Sequence, residues 1–352
     1  MVDHSHPFVP TLPFVPTLRD VARHAEVSLA TADRVVNRRP GVRASTIERV
    51  EEAVRVLGFE RHAGAAALAR RESFRAVALL PRGTNPFIAR LADELHLAAR
   101  LQGLRRLDLS ILRTDSFEPT RLAEAIRSAA GQAQGIIAIG LDDPLVTAAI
   151  DAVAETGIPV VSLVSDVPAS RRRHYVGIDN RAAGRVAASL VGRFAGRGAT
   201  RAFVLLGSHA LRDHLDRLDG FRDALGRRFP ALEIAAIVEG HDDAARTETA
   251  MREVLSGIGM PDAVYSAGAG ASGLVAALRE RGGSPVVVAH ELTDETHPLL
   301  VSGAIDALIV QDPGHEARSA VRVLMAALTG GAISEDQERI RIEILLPDNL
   351  PK

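Results

Sequence analysis

Residues 17–37 read TLRDVARHAEVSLATADRVVN, and this stretch decides the fold of the N-terminal part of the chain. Its apolar residues recur at i, i+3, i+4 and i+7 between Leu18 and Ala25, which predicts a helix with one apolar face. After a short break, Ser28 is a favourable N-cap for a second helix that runs to about Asn37. The stretch therefore predicts two short helices joined by a tight turn.

A third helix completes a small helical module. Pro40 and Gly41 end the second helix, and apolar residues predict a further helix over about Ser45–Leu57 that Gly58 terminates. Such a module suits the DNA major groove, which admits one helix, but the helix pattern alone fits a protein-contact module equally well. The second helix buries Thr31 and exposes four other residues: Leu29, Ala30, Asp33 and Arg34.

From about Arg75 the pattern changes to apolar runs that alternate with amphipathic helices. Segments such as 86–102, 121–132 and 182–194 have helical periodicity, and the runs between helices are typical of buried parallel strands. This alternation predicts an α/β body with doubly wound parallel sheets. Roughly ten strands favour two sheets over one. The main apolar runs are Ala76–Leu80, Gly135–Ile139, Pro159–Val164, Ala202–Leu206, Ala263–Ser266 and Pro285–Ala289.

Composition and charge exclude several classes of protein. Of 352 residues, 47% are hydrophobic and 24% charged, as in a globular protein, and cysteine is absent. No disulfide scaffold, thiol nucleophile or roughly 18-residue membrane-spanning run is therefore expected. Residues 17–71 carry eleven arginines against seven acidic residues, although the whole chain has a net charge of −2. A basic head on an acidic body indicates an anionic partner at the N-terminal end.

The first sixteen residues differ from the rest of the chain. The hexapeptide PFVPTL occurs at Pro7–Leu12 and again at Pro13–Leu18. A proline at every third position excludes a helix, and the segment lacks the cationic and apolar regions of an export signal. We expect residues 1–16 to form a disordered extension and the protein to be cytoplasmic.

The N-terminal module resembles the head of LacI-type transcriptional regulators. The motif at Thr17–Ser28, the RVVN of Arg34–Asn37 and the AALAR of Ala66–Arg70, which is similar to the family's hinge helix, carry this likeness. The resemblance implies a homodimer on a pseudo-palindromic double-stranded DNA operator, with Leu68 wedged into the minor groove. The DNA-binding residues that it implies are Thr17, Ser28, Leu29, Ala30, Thr31, Asp33, Arg34, Asn37, Arg38 and Leu68.

The head departs from the family pattern at three residues. Glu26 stands where the family has a turn glycine, and a positive φ there would cost a glutamate about 1 kcal/mol. Ala32 and Asp33 replace a Val-Ser pair on the second helix, so the operator preference of relatives does not transfer. Asp33 either accepts a hydrogen bond from a cytosine amino group or is a surface charge.

The body resembles the periplasmic sugar-binding fold that LacI-type regulators carry. The resemblance implies a helix-turn-helix domain over 17–61, a hinge helix and linker over 62–74, a ligand-binding and dimerisation domain over 75–347, and a tail over 348–352. In that fold two α/β lobes enclose a small ligand, and the chain crosses between them three times. Lobe 1 would comprise about 75–176 and 311–336, and lobe 2 about 177–308 and 338–347.

Residues near the strand ends match ligand positions of this fold. The resemblance implies a sugar or a sugar-derived acid as the effector, although Val164-Ser165 replaces the Asp-Arg pair of sugar-binding relatives. Asn85 either caps the following helix or contacts the ligand, and the fork of Arg217 suits two hydroxyls or a carboxylate. The implied ligand-binding residues are Asn85, Phe87, Asp166, His214, Arg217, Gly268, Glu291 and Gln311.

A glycine-rich turn supports a rival interpretation. Gly268, Gly270 and Gly273 form a G-x-G-x-x-G motif after a predicted strand, and Glu291 lies eighteen residues beyond the last glycine. This context is typical of pyrophosphate and ribose binding. An NAD-dependent enzyme or a nucleotide-binding sensor is therefore the alternative to a regulator.

Other catalytic chemistry finds little support in the sequence. His209, Asp213 and His214 could hold a metal ion or form a solvated loop, and the latter is more common. The nucleophile elbow of hydrolases, the P-loop and the H-E-x-x-H motif are absent. We therefore expect a protein that is no enzyme and needs no metal or cofactor.

Overall fold

The computed structural model of the chain describes residues 16–37, 39–59, 73–102, 106–115 and 118–351. The chain divides into two compact units, Met1–Ala69 and Arg70–Lys352. Arg38 and Leu68, together with the predicted N-terminal extension and hinge helix, lie outside the described residues.

The described residues of the first unit form three helices, which confirms the helical head. Helices α1 (Leu18–His24), α2 (Leu29–Val36) and α3 (Ala44–Leu57) follow one another through short connections. Val21, Val35 and Val50 are buried at their common centre. The helix α3 ends at Gly58, whose φ of 62° is left-handed and therefore suits glycine.

Lobe 1 of the second unit is built on a parallel five-stranded sheet in the order β2-β1-β3-β4-β5. Its helices cover the sheet. One of them, α12 (Pro313–Thr329), comes after lobe 2 in the sequence and packs against α4 and against β3, β4 and β5. Alternating strands and helices of this length produce a doubly wound layer. The strands are β1 (Ser73–Pro81), β2 (Arg106–Thr114), β3 (Gly135–Ala138), β4 (Val160–Leu163) and β5 (His174–Val176). The helices are α4 (Pro86–Arg100), α5 (Pro119–Ala130), α6 (Pro144–Glu155) and α12 (Pro313–Thr329).

Lobe 2 is built on a six-stranded sheet in the order β11-β10-β9-β8-β6-β7. All its pairings are parallel except that of the edge strand β11 with β10. The strands are β6 (Arg201–Leu206), β7 (Glu233–Glu239), β8 (Ala263–Ser266), β9 (Val286–His290), β10 (Ala307–Val310) and β11 (Glu343–Leu345). The helices are α7 (Asn180–Phe194), α8 (Arg212–Arg228), α9 (Ala244–Ile258), α10 (Ala271–Glu280) and α11 (Thr296–Val301).

The chain passes between the two sheets three times: after β5, after β10 and again before β11. The short helix α13 (Glu335–Glu338) precedes the third passage, and a 3-10 helix at Pro347–Asn349 follows β11. At the third passage Glu338 is buried and accepts from Arg322 and Ser319 of α12. This carboxylate ties the third connection to lobe 1.

Two glycines set the close packing of α7 on α8. A Cβ atom on Gly184 would overlap the carbonyl oxygen of Arg217, and one on Gly220 would overlap that of Arg181. The two backbones therefore approach as closely as only glycine allows. This contact fixes the position of Arg217 at the edge of lobe 2.

Among the described helices, none is long and apolar enough to cross a lipid bilayer.

Candidate functional site

Helix α2 of the head has an exposed face that carries predicted DNA-binding residues. Leu29, Ala30 and Arg34 are exposed there, with 44% of the Leu29 surface accessible. Ala32 is fully buried, so its change from the family's valine alters the core of the head and not the surface of α2. The sequence predicts a buried Thr31 and an exposed Asp33, whereas both residues are half-buried in the structure.

Capping bonds hold the other polar residues of the head. The backbone N–H and hydroxyl of Thr17 donate to Asp20 at 2.9 and 2.6 Å, which lowers the pKa of that carboxyl. Ser28 accepts from the backbone N–H of Thr31 at 3.1 Å. These contacts anchor the N-termini of α1 and α2.

Asp33 makes contacts within the head that the sequence pattern did not predict. Its carboxylate accepts from Asn37 Nδ2 at 2.7 Å and from Arg39 Nη1 at 3.3 Å. The side chain of Asn37 also donates to the backbone carbonyl of Asp33 at 2.8 Å. The negative charge that α2 presents is thus partly neutralised by Arg39.

The turn between α1 and α2 has a positive φ at Glu26, the conformation that the sequence analysis considers costly for a glutamate. Glu26 has a φ of 52°, in the left-handed region that glycine adopts without cost. Its side chain is exposed.

A cavity of about 570 Å³ lies between the two lobes at the carboxyl ends of their parallel strands. Ligands bind at this edge of open α/β sheets because the chain reverses direction there and leaves a crevice. Seven of the eight predicted ligand positions line it: Asn85, Phe87, His214, Arg217, Gly268, Glu291 and Gln311.

Asp166 is the predicted position that the structure does not bring to the cavity. Its carboxylate forms a two-pronged ion pair with Arg172 and accepts from the backbone N–H of Val167 at 2.8 Å. The preceding Val164 has a φ of 63°, which turns the chain so that Ser165 lines the cavity instead. Sequence reasoning missed Ser165.

Arg217 is the buried cation of the cavity, with only 3% of its surface exposed. Its Nε donates to Asn180 Oδ1 and its Nη1 to the carbonyl of Ala267, both at 2.8 Å, while Nη2 lies 3.9 Å from Asp213 Oδ2. Burial alone would lower the pKa of Arg217, but Asp213, Glu291 and two nearby tyrosines together outweigh burial and raise that pKa. The guanidinium therefore stays charged.

A chain of hydrogen bonds connects Arg217 to lobe 1. Asn180, which accepts from Arg217, donates through Nδ2 to the Tyr175 hydroxyl at 3.2 Å. That hydroxyl lies 2.9 Å from the carbonyl of Val164 and 3.2 Å from the carbonyl of Ile178. This series of hydrogen bonds spans the first connection between the lobes. A change at Arg217 can therefore be transmitted to the strand ends of lobe 1.

Glu291 and Gln311 form a pair on neighbouring strands of lobe 2. Gln311 Nε2 donates to Glu291 Oε1 at 2.9 Å, and the backbone N–H of Gln311 approaches Oε2 at 3.4 Å. Burial raises the pKa of Glu291 to about 7, although Arg217 and these hydrogen bonds oppose the rise. The side chain therefore titrates near neutral pH.

Two histidines in the cavity have fixed ring orientations. His214 Nδ1 accepts from the backbone N–H groups of Gly207 and Ser208 at 3.2 and 3.3 Å, which places the ring proton on Nε2. His290 Nε2 lies 2.9 Å from the Tyr265 hydroxyl. Burial and the charge of Arg217 hold the pKa of His290 well below its usual value, so the ring is neutral.

The histidine-rich segment after β6 does not converge on a metal. His209 is exposed and pairs with Glu239 at 2.7 Å, whereas His214 is buried in the cavity wall. Within the described part of the chain no three His, Asp or Glu side chains gather as metal ligands.

The protein's own side chains fill the glycine-rich turn. The N–H of Ala269 donates to Asp242 at 2.9 Å, and that of Ser272 donates to Glu295 at 2.7 Å. A Cβ atom on Gly273 would overlap the carbonyl of Ala244 in α9. The turn thus serves helix packing, and two carboxylates occupy donors that a pyrophosphate would need.

Contacts across the cleft join the two lobes. Asn85 caps α4 by accepting from the N–H of Phe87 at 3.0 Å, and its Nδ2 donates across the cleft to Asp242 at 3.3 Å. Leu211 of lobe 2 is buried in the core of lobe 1, and Arg212 donates to Asp142 at 2.8 Å. The described conformation is therefore one in which the lobes touch.

Comparison with known proteins agrees with this architecture. Residues 77–332 match a periplasmic binding protein domain, and residues 17–62 match the lacI family of bacterial regulatory proteins. The chain is 31% identical to the HTH-type transcriptional regulator GntR of Pseudomonas aeruginosa over 62% of each chain. It is 26% identical to catabolite control protein A of Staphylococcus aureus over 60% of this chain and 61% of that protein. The alignments thus span less than two thirds of these relatives.

Solved structures share the fold of the second unit. The glucose-galactose binding protein GanP of Geobacillus stearothermophilus has a TM-score of 0.72 at 24% identity, covering 80% of this chain and 100% of that chain. A solute binding protein of Burkholderia graminis in complex with D-arabinose has a TM-score of 0.71 at 22% identity, covering 78% and 96%. The chain therefore belongs to the proteins with a periplasmic binding protein domain, which covers residues 77–332, and it carries a lacI-family domain at residues 17–62.

Proposed function

We propose that this protein is a ligand-responsive transcriptional repressor that binds a pseudo-palindromic operator as a homodimer. The observation that carries the proposal is the exposed face of α2, where Leu29, Ala30 and Arg34 stand on a helix capped at Ser28. A helix of this size fits the major groove, and Arg34 can donate two hydrogen bonds to a guanine. It would act in the cytoplasm, where its DNA partner lies.

The effector in this proposal is a sugar or sugar derivative bound in the cavity between the lobes. The polar lining around Arg217, Glu291 and Gln311 supports this, because hydroxyl groups both donate and accept hydrogen bonds. The D-arabinose complex named above is of a protein with the same fold.

Binding and DNA affinity would be coupled through the connections between the lobes. A ligand that binds Arg217 would change the hydrogen bond from Arg217 to Asn180. Asn180 in turn donates to the Tyr175 hydroxyl at the first connection. The coupling needs only a difference in ligand affinity between two lobe arrangements, typically 1–3 kcal/mol.

Selection of random DNA duplexes by the purified full chain, followed by sequencing of the bound pool, tests the DNA-binding claim. We expect an enriched palindrome with half-site centres about 10 base pairs apart. Arg34→Ala should lose or relax one base preference. Arg55→Ala, which removes an exposed arginine of α3, is the matched control and should retain the motif. A bound pool without any enriched motif contradicts the proposal.

A further inference from the structure

Several buried polar atoms around the cavity lack hydrogen-bond partners among the described residues. Four side-chain atoms in its lining are buried and have no hydrogen-bond partner among the described residues: Ser165 Oγ, Asp213 Oδ1, His290 Nδ1 and Gln311 Oε1. The oxygens of Asp213 and Gln311 are pure acceptors, and hydroxyl groups can satisfy all four atoms. A buried polar atom without a partner costs free energy, so a ligand that supplies donors gains affinity here.

The arginines of the cavity either already donate to acceptors of the protein or are exposed to water. The buried Arg217 donates to Asn180 and Ala267 and faces Asp213. The other lining arginines, Arg82 and Arg246, are exposed at the rim, where water screens their charge.

Two backbone N–H groups at the N-terminal end of α10 also donate to side chains of the protein. As described above, the N–H groups of Ala269 and Ser272 donate to Asp242 and Glu295. An acidic ligand group would have to displace one of these carboxylates. Two of the N–H groups at this helix N-terminus that could hold an anion are thus bound to carboxylates of the protein itself.

The lining as a whole is acidic. Its three arginines face seven acidic residues: Asp115, Glu118, Asp213, Asp242, Asp243, Glu291 and Glu295. A ligand carboxylate or phosphate would meet like charge in a partly desolvated site, which weakens binding.

We infer that the cleft takes a polyhydroxylated ligand without an acidic group, whose hydroxyls donate to Asp213, Glu291 and Gln311, and that it discriminates against sugar acids and sugar phosphates. This inference rests on the proposed function and narrows its effector to neutral sugars and their alditols.

Calorimetric titration of the full chain with matched ligand series tests the inference. One series is D-glucose, D-glucitol, D-gluconate and D-glucose 6-phosphate, and the other is D-arabinose, D-arabinitol, D-arabinonate and D-arabinose 5-phosphate. We expect a neutral member to bind at least about tenfold more tightly than its acidic counterparts, a difference of about 1.4 kcal/mol. An acidic member that binds more tightly than its neutral parent overturns the inference, and so does a failure of every member to bind with a Kd below about 1 mM.

A charge-neutral variant gives an independent test. At pH 8, above the Glu291 pKa of about 7, Glu291→Gln keeps the shape of the side chain and removes one negative charge, so the ratio of acidic to neutral ligand affinity should rise about tenfold. Glu253→Gln, on the exposed face of α9 away from the cavity, is the matched control and should leave the ratio unchanged. An unchanged ratio in Glu291→Gln contradicts the inference. Operator selection reports separately on the proposed function, because it needs no ligand of known identity.

Discussion

At the level of single residues, the fixed position of Arg217 determines how the cavity can bind a ligand. Its guanidinium is held by side-chain and backbone acceptors from α7, α8 and the turn after β8. The fork of donors is thereby fixed before any ligand arrives, which reduces the entropy lost on binding. A lysine could not make the same three contacts.

Seven of the eight positions predicted from the sequence line the cavity, but the sequence does not show which of two adjacent residues points inward. Each residue that follows a buried strand is a candidate, because parallel strands bring their carboxyl ends to one edge. Which of two adjacent residues points inward depends on backbone dihedrals. The positive φ of Val164 puts Ser165 in the cavity and leaves Asp166 to pair with Arg172, and no residue type in that stretch announces the turn.

The strained turn of the head gives a prediction at this scale. Because Glu26 has a φ of 52°, Glu26→Gly should stabilise the head by about 1 kcal/mol and slow amide hydrogen exchange in α1 and α2 about fivefold. Exchange is measured on the full chain by mass spectrometry. Glu26→Ala removes the same charge without relieving the backbone, so equal slowing in both variants would contradict this account.

Glu291 should make stability depend on pH. Its pKa rises from 4.5 to about 7 on folding, so the folded state binds its proton more tightly than the unfolded state. The contribution of Glu291 to the free energy of unfolding therefore falls as pH rises from 4.5 to about 7, and it stays lost above that range. His290 changes in the opposite sense, because its lowered pKa makes the unfolded state the stronger proton binder.

A comparison with one variant isolates the Glu291 contribution. Relative to the unchanged chain, Glu291→Gln should gain up to about 3 kcal/mol of unfolding free energy between about pH 4.5 and pH 8. Urea denaturation at several pH values measures the difference. Glu253→Gln should show no such trend, and a Glu291→Gln difference that stays constant with pH would exclude the assigned cause.

At the scale of helices and strands, packing positions the site. The approach of α7 to α8 depends on Gly184, whose added Cβ would overlap the carbonyl of Arg217. Gly184→Ala should lower the free energy of unfolding by about 2 kcal/mol and displace Arg217 from Asn180. Gly226→Ala is the control on α8, since nothing lies within 4 Å of an added Cβ there. Urea denaturation should show it unchanged or up to about 1 kcal/mol more stable, and equal losses in both variants would contradict this packing role.

Strands in the interior of the sheets could be predicted, whereas edge strands carry a weaker signal. The observed β3, β4 and β8 are fully buried, so their apolar runs stand out in the sequence. The edge strands β2 and β7 contain exposed and charged residues between apolar ones. Their position at an edge leaves one side without a neighbouring strand, and a continuous apolar run is not required there.

At the scale of the whole second unit, the lobes are joined by contacts that a ligand can strengthen or oppose. The Arg212–Asp142 pair is partly exposed and contributes at most about 1 kcal/mol. Asp142→Asn should therefore shift the lobes toward a more open arrangement by up to about fivefold in population.

Spin labels can measure that shift, because the chain contains no cysteine of its own. We would introduce one cysteine at Glu124 in lobe 1 and one at Glu253 in lobe 2, both exposed. Asp142→Asn should widen the distance distribution between the labels, whereas Asp108→Asn on the exposed face of β2 should not. Identical distributions in all three proteins would show that the pair does not hold the lobes together.

The central claim is that a ligand in the cleft changes the affinity of the head for its operator. The most direct measurement is the Kd of the full chain for its selected operator, with and without a saturating neutral sugar. We expect a change of about 5- to 150-fold, corresponding to 1–3 kcal/mol of coupling, and a much smaller change in Gly184→Ala. An operator Kd that is the same with and without a sugar shown to bind the cleft would contradict the account.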